Sequence, residues 1–249
     1  MRSYFVANPN QLTEPLSWGG LFGGLTVAAY TRLFSDSNFG RYVFNSLVVS
    51  SVSTVLTVAI SGVSGYALSR FRFRGRSVLL LLVLATQLLP FVVLITPIYI
   101  AFSQIRLLNS YPGLIVVYVA MTLPLATYLM MGYFDSIPRV LDEAARIDGC
   151  TTLGVIFRVI MPVALPGIVT VGVTAFIATW EEFLFATVLM TSDKLKTVQV
   201  GLAGFFGEYS TDWPVVMAAA TVAAVPTIVL FAVVQRRLVA GMAAGSIKG

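Results

Sequence analysis

The chain contains no histidine and a single cysteine, Cys150. The first absence removes the commonest metal ligand and the usual general base at neutral pH. The second excludes an internal disulfide and leaves the redox compartment unreadable. Lysine is almost missing too: Lys194, Lys196 and Lys248 are the only three. A phosphate-binding loop needs glycine, four residues, then Gly-Lys-Ser/Thr, and no lysine here has that setting. Charge is scarce in general. Asp, Glu, Lys and Arg make up 11% of the 249 residues, against about 25% in soluble domains. Apolar residues reach 57%, and the mean hydropathy of +0.89 places the chain in the membrane class. No basic stretch near Met1 leads into an apolar run and a cleavage site, so no secretory signal peptide is read.

A membrane-spanning helix needs about 20 predominantly apolar residues. Five stretches qualify: residues 42–68, 77–102, 112–134, 159–180 and 213–234. The segment 19–30 is apolar but short and glycine-rich, which suits an interfacial or re-entrant piece. The expected fold is therefore an all-α, polytopic transmembrane bundle with five spans. Residues 1–41 are expected as an external or interfacial segment, and 42–249 as the membrane domain.

The net charge of +5 sits mainly beside the apolar runs, so it speaks for topology and not for nucleic acid. The connections 69–76 and 135–158 and the tail from Gln235 hold ten Lys and Arg, against six on the other side. Positive charge accumulates inside, so this set is expected in the cytoplasm, with the C-terminus. Five spans then put the first 41 residues outside, which suggests a further span upstream of this sequence. Pro90, Pro97, Pro124, Pro166 and Pro226 fall within spans, where each removes a helical hydrogen bond and favours a kink.

The connection 135–162 carries the most information. Pro138 suits the start of a helix and Gly149 the left-handed residue after its end. Ile137, Val140, Leu141, Ala144 and Ala145 form one apolar face. Arg139–Glu143 and Asp142–Arg146 are spaced as i, i+4 ion pairs. A second short helix, capped by Thr151 or Thr152, runs toward Pro162. Such a projection either lies in a groove of a partner protein or packs on its own bundle.

Glu143-Ala144-Ala145, then Gly149 three residues on, then Val159-Ile160-Met161-Pro162, resembles the EAA loop of ABC importer permeases: EAA, three residues, G, nine residues, I-x-L-P. The segments 70–75, 180–186, 208–213 and the ending 241–249 look like the carbohydrate-uptake, maltose-type branch, in particular the shorter permease of its pair. Members usually have six spans, one more than is read here. The resemblance implies a subunit of the bacterial inner membrane that moves a carbohydrate and is surrounded by lipid. It implies a cytoplasmic ATPase dimer that consumes ATP and Mg, a second permease and an extracytoplasmic solute-binding protein. No cofactor is expected on this chain. By the same resemblance Asp142, Glu143, Ala144, Ala145, Asp148, Gly149 and Pro162 would form the coupling loop.

Candidates for the solute path are Gln87, Thr122, Trp180, Glu181 and Glu182, polar or amphipathic positions in or beside spans. Helix–helix hydrogen bonds or interfacial placement are the plainer uses, and Thr127 is a further such threonine. From Val159 to Trp180 is about 33 Å of helix, which would set both carboxylates at the outer interface or on an aqueous cavity. Gly204, Phe205, Glu208 and Tyr209, on the outer connection 191–212, are candidates for contact with the binding protein. An ion- or proton-coupled carrier is the competing reading, although Glu181 and Glu182 are the only acids it would find along the spans.

Overall fold

The structure is a computed structural model that describes residues 27–206 and 211–245, with side chains described as far as residue 232. The described residues form helices and the connections between them, with no strand. A short helix α1 (Ala28–Ser35) leads into α2 (Phe39–Arg70), a 32-residue helix. Then come α3 (Arg76–Ala85) with a tight turn at Thr86–Leu88, α4 (Phe91–Gln104) and α5 (Tyr111–Ser136). The loop helix α6 (Val140–Ile147) is followed by α7 (Thr152–Val163), α8 (Leu165–Trp180) and α9 (Leu184–Leu189). Last are α10 (Val198–Ala203) and α11 (Trp213–Gly245).

Of the five expected spans, three are single long helices: α2, α5 and α11. The other two are broken. The pair α3 and α4 bends by 93°, and the pair α7 and α8 by 79°. The first break lies at Leu89, whose ψ of 129° is extended. Pro90 causes this, because its ring disfavours the helical region for the residue before it. The second break lies at Ala164, just ahead of Pro166 in the first turn of α8. Proline is at home there, because its missing N–H has no helical partner to lose. Pro97, Pro124 and Pro226 remain inside their helices.

Helix α8 is shorter than the expected span. Its 16 residues reach only about 24 Å, short of the roughly 30 Å hydrocarbon core. The straight run of helix from Val159 to Trp180 does not exist. Helix α11 also runs past the expected end at 234, to Gly245. Residues 1–26, which include most of the expected interfacial segment, lie outside the described residues, as do Glu208 and Tyr209.

A strip of small residues lets the bundle close. Ser46, Ser50, Ser53, Thr57, Ser61, Gly65 and Ser69 are all buried along α2, which packs along α5 and α8. Small residues let membrane helices approach closely, so that backbone dispersion replaces the missing hydrophobic drive. Gly65 is the tightest case: a Cβ there would stand 2.8 Å from Cβ of Met130. Two polar contacts cross the same seam, Thr57 to Thr122 at 2.8 Å and Ser64 to Thr127 at 3.2 Å. The two threonines of α5 thus serve helix–helix bonding, as their types suggest.

The two ends of the bundle differ. At one, the arginine-rich connection after α2 meets the loop 135–162, through Ser69 to Asp135 at 2.6 Å and Arg139 to the carbonyl of Ser69 at 3.0 Å. At the other, the connection after α9 is tied to the starts of α2 and α5. Asn38 and Tyr42 donate to Asp193, and Asn45 donates to the carbonyls of Lys194 and Lys196. The lysine-bearing and arginine-rich connections therefore occupy opposite ends, as the charge partition requires.

Candidate functional site: a loop helix and a cleft

At the arginine-rich end, α5 stops at Ser136 and the chain turns through Ile137 and Pro138 into α6. Asp142 and Glu143 fall in the first turn of α6 and Arg146 in the last, the charge order that a helix dipole favours. Gly149 has φ +83°. Its N–H reaches the carbonyl of Arg146 at 3.1 Å, and Cys150 N–H reaches that of Ala145 at 3.0 Å. This pair of bonds closes the helix as a Schellman motif. The Thr151 hydroxyl then accepts the Gly154 N–H at 3.2 Å and caps α7. Pro162 lies exposed in the last turn of α7, beside the bend.

Two expectations for this loop change. The i, i+4 ion pairs do not form among the described residues. Arg139 is spent on Ser69, and Asp142 turns inward, where Tyr66 Oη donates to Oδ1 at 2.7 Å and Arg70 Nη2 stands 2.9 Å from Oδ2. The apolar face also divides. Ile137 and Ala145 are buried with Tyr66, Phe134 and Val155. Val140 and Ile147, by contrast, are 68% and 85% exposed, and Leu141 and Ala144 are exposed with them. A buried carboxylate needs partners, and the bundle offers them on one side only. That side claims Asp142 and Ala145, so the remaining apolar residues face outward with Glu143 and Asp148.

Between α5 and α8 lies a cleft of about 180 Å³. Gln87, Tyr118, Thr122, Thr174, Thr179 and Glu182 supply its polar groups against a wall that includes Phe91, Met121 and Leu125. Glu182 accepts from Tyr118 Oη at 3.0 Å and from the N–H groups of Phe185 and Ala186 at 2.8 and 3.0 Å. Its carboxylate thereby holds the start of α9 beside the cleft. The chain is irregular at residues 181–183, and Glu182 of this break lines the cleft.

The structure brings together three of the five expected path residues: Gln87, Thr122 and Glu182. Trp180 is 1% exposed, stacks on Phe176 and donates its indole N–H to the carbonyl of Ala223 at 2.9 Å, so it is a packing residue. Glu181 opens onto a separate groove with Gln199 and Thr227. Sequence reasoning missed Tyr118, Thr174 and Thr179. Tyr118 and Thr122 are four apart on α5, and Thr174, Ala178 and Glu182 continue at the same spacing on and just past α8. That spacing marks one helix face and was the available signal. On the far connection, Gly204 is exposed, whereas Phe205 packs on Phe39 with ring centroids 5.8 Å apart.

The sequence matches, over residues 57–244, the family described as the inner membrane component of binding-protein-dependent transport systems. The chain belongs to this family. The sulfoquinovosyl glycerol transport system permease protein SmoH of Agrobacterium fabrum is 40% identical over 236 residues, covering 95% of this chain and 82% of that protein. The trehalose/maltose transport system permease protein MalG of Thermococcus litoralis is 34% identical over 248 residues, covering 98% of this chain and 88% of that one. Among solved structures, a bacterial ABC transporter involved in import of the acidic polysaccharide alginate shares the fold. Its TM-score is 0.77 at 24% identity, with 94% of this chain and 87% of that chain covered. The chain is thus an inner-membrane transport component, and the ion- or proton-coupled carrier gains no support from these matches.

Proposed function

We propose that this chain is one of two permease subunits of an ATP-driven carbohydrate importer, and that α6 receives force from a separate ATPase. The observation that carries this is the outward apolar face of α6. Val140, Leu141, Ala144 and Ile147 stand exposed on a helix whose opposite side is held to the bundle by Asp142 and Ala145. An apolar strip on a short anchored helix suits a groove in a second protein. Glu143 adds a charge for a basic group of that partner, and Gly149 sets the turn that presents the helix.

The arginine-rich end is the cytoplasmic one, and the C-terminus lies there. The ATPase dimer binds on that side and uses ATP and Mg, which this chain does not bind. A solute-binding protein docks at the opposite end, near Gly204. The carbohydrate class is supported by the relatives named for sulfoquinovosyl glycerol and for trehalose and maltose. The cleft suits it as well, since hydroxyls and an amide on an apolar wall match the mixed faces of a sugar. Solute passes along Gln87, Thr122 and Glu182, with Tyr118 and Thr174 beside them.

The test is purification of the chain from its own cells, followed by reconstitution. An ATPase is expected to co-purify, and Ile147→Asp with Leu141→Asp is expected to release it. Solute movement in proteoliposomes without ATP or any other subunit would remove this reading.

A further inference from the structure

Beneath the exposed face of α6 lies a group of side chains that the transport reading leaves unused. The side chains of Arg70 and Asp142 are only 7% and 10% exposed, with Arg70 Nη2 2.9 Å from Asp142 Oδ2. The same guanidinium donates to the carbonyl of Phe134 at 2.9 Å and to that of Ile137 at 3.0 Å. Those two carbonyls belong to the last turn of α5 and the residue just past its end. Tyr66, one turn before Arg70 on α2, donates to the other oxygen of Asp142 at 2.7 Å. The Arg70 guanidinium carbon stands 6.0 Å from the Tyr66 ring centroid. One arginine therefore touches the end of α2, the end of α5 and the loop helix α6 at once.

We propose that Arg70 and Asp142, with Tyr66, are positioning residues for energy coupling. They clamp α6 to the junction of α2 and α5, so that a displacement imposed on the exposed face of α6 moves the bundle and not the loop alone. The proposal rests on the reading of α6 as the ATPase contact. Three features favour this role over a purely packing one. The planar fork of arginine is fixed in direction as well as distance by the two carbonyls that end α5, which a lysine would not match, and this sets the charge beside Asp142. The clamp is the polar floor of the helix proper, whose only other buried side chain among residues 140–147 is Ala145, while Arg139 ties its start to the Ser69 carbonyl. Finally, a buried ion pair is weak as a source of stability, since well-packed apolar residues often do as well. Its presence under α6 therefore points to a use that apolar packing does not meet.

The permease, reconstituted with its ATPase, second permease and binding protein in proteoliposomes, is assayed for solute moved per ATP hydrolysed. Asp142→Asn and Arg70→Gln are expected to lower this ratio by about 2- to 30-fold, the range in which residues along a coupling network act. Tyr66→Phe should give a smaller loss, and Asp142→Glu should recover part of the ratio. The double variant Arg70→Met with Asp142→Leu decides between clamp and packing. It is expected to assemble at the unaltered yield while remaining poorly coupled. Full coupling in that double variant, or an unchanged ratio in Asp142→Asn, overturns the proposal while leaving α6 as the ATPase contact. If the single variants fail to assemble, Tyr66→Phe and the apolar double variant carry the same two outcomes. Failure of the unaltered chain to retain any ATPase would bring down the reading of α6 itself, and the clamp with it.

Discussion

Gly149 offers the sharpest separation of backbone geometry from side-chain contact. Its φ is +83°, and a Cβ built there would meet no atom within 4 Å. Replacement by alanine therefore introduces no clash, and its whole effect is the left-handed conformation forced on a residue with a Cβ. That costs about 1–2 kcal/mol, a factor of roughly 5–30 in the population of the native turn. Both closing bonds, from Gly149 to Arg146 and from Cys150 to Ala145, depend on this turn. Gly149→Ala should therefore lower solute moved per ATP by up to that factor, with expression and subunit assembly unchanged. Gly149→Asn should lose less, because asparagine tolerates the left-handed region. Gly149→Pro should lose most, because its φ is fixed near −65° and the N–H that reaches Arg146 is gone. The order Asn, Ala, Pro is the fingerprint. Equal ratios in all three, measured in proteoliposomes at saturating ATP, would show that α6 does not need its closing turn. The reasoning from backbone to coupling would then fail.

Other outcomes follow from particular contacts. Gly65→Ala should destabilise the assembled subunit by about 1–3 kcal/mol, read as a lower Tm in detergent, because its Cβ would stand 3.0 Å from the backbone N of Met131 and closer still to Met130. Glu182→Ala should free the two N–H groups at the start of α9 at a cost of about 0.5–2 kcal/mol and abolish uptake; Glu182→Gln, which keeps an acceptor oxygen, should retain part of it. At the far end, hydrogen bonds from Lys196, Tyr42 and Asn38 pull the Asp193 carboxyl from its usual 3.8 down to about 2. A folded value below the unfolded one adds stability above about pH 4 and loses it as the pH falls through 2. Proteolysis of the 191–198 connection should therefore rise only in that acid window, whereas Asp193→Asn should expose it at neutral pH.

What the sequence made legible is local or compositional. Apolar runs located three long membrane helices and two bent helix pairs, because hydrocarbon thickness sets a minimum length. Gly149 and Thr151 were readable because a positive φ and a helix cap are decided within a few residues. The breaks at Leu89 and Ala164 were legible only as two of five possible proline kinks. Hydropathy carries no direction, and Pro90 looks in sequence like Pro97, Pro124 or Pro226, which stay inside unbroken helices. Gln87, Thr122 and Glu182 stood out as polar residues in apolar surroundings, whereas Tyr118 and Thr174 did not, since tyrosine and threonine are ordinary in membrane helices. Trp180 carried the mark of an interfacial aromatic but is consumed by packing on Ala223. The pairing of Asp142 failed for a related reason. The i, i+4 rule ranks neighbours on one helix, and Arg70 lies on another helix, far back along the chain.

The wrong partner for Asp142 has a physical lesson in it. An exposed i, i+4 pair contributes about 0.3–0.5 kcal/mol, so Arg146 offers the carboxylate little. Once the loop folds back on the bundle, Asp142 is desolvated, and an unpaired buried charge costs several kcal/mol. The competition is therefore decided by burial, and Arg70 wins because it is already fixed by two backbone carbonyls. The same helix, α2, holds Asp193 through Tyr42 at its other end and meets α5 beside the cleft through Thr57 and Thr122. Loop helix, cleft wall and far connection thus share one 32-residue element. Its small-residue strip lets α5 and α8 pack closely along it, so a displacement of α2 at the α6 end is passed to its tightly seated neighbours and not absorbed by loose packing.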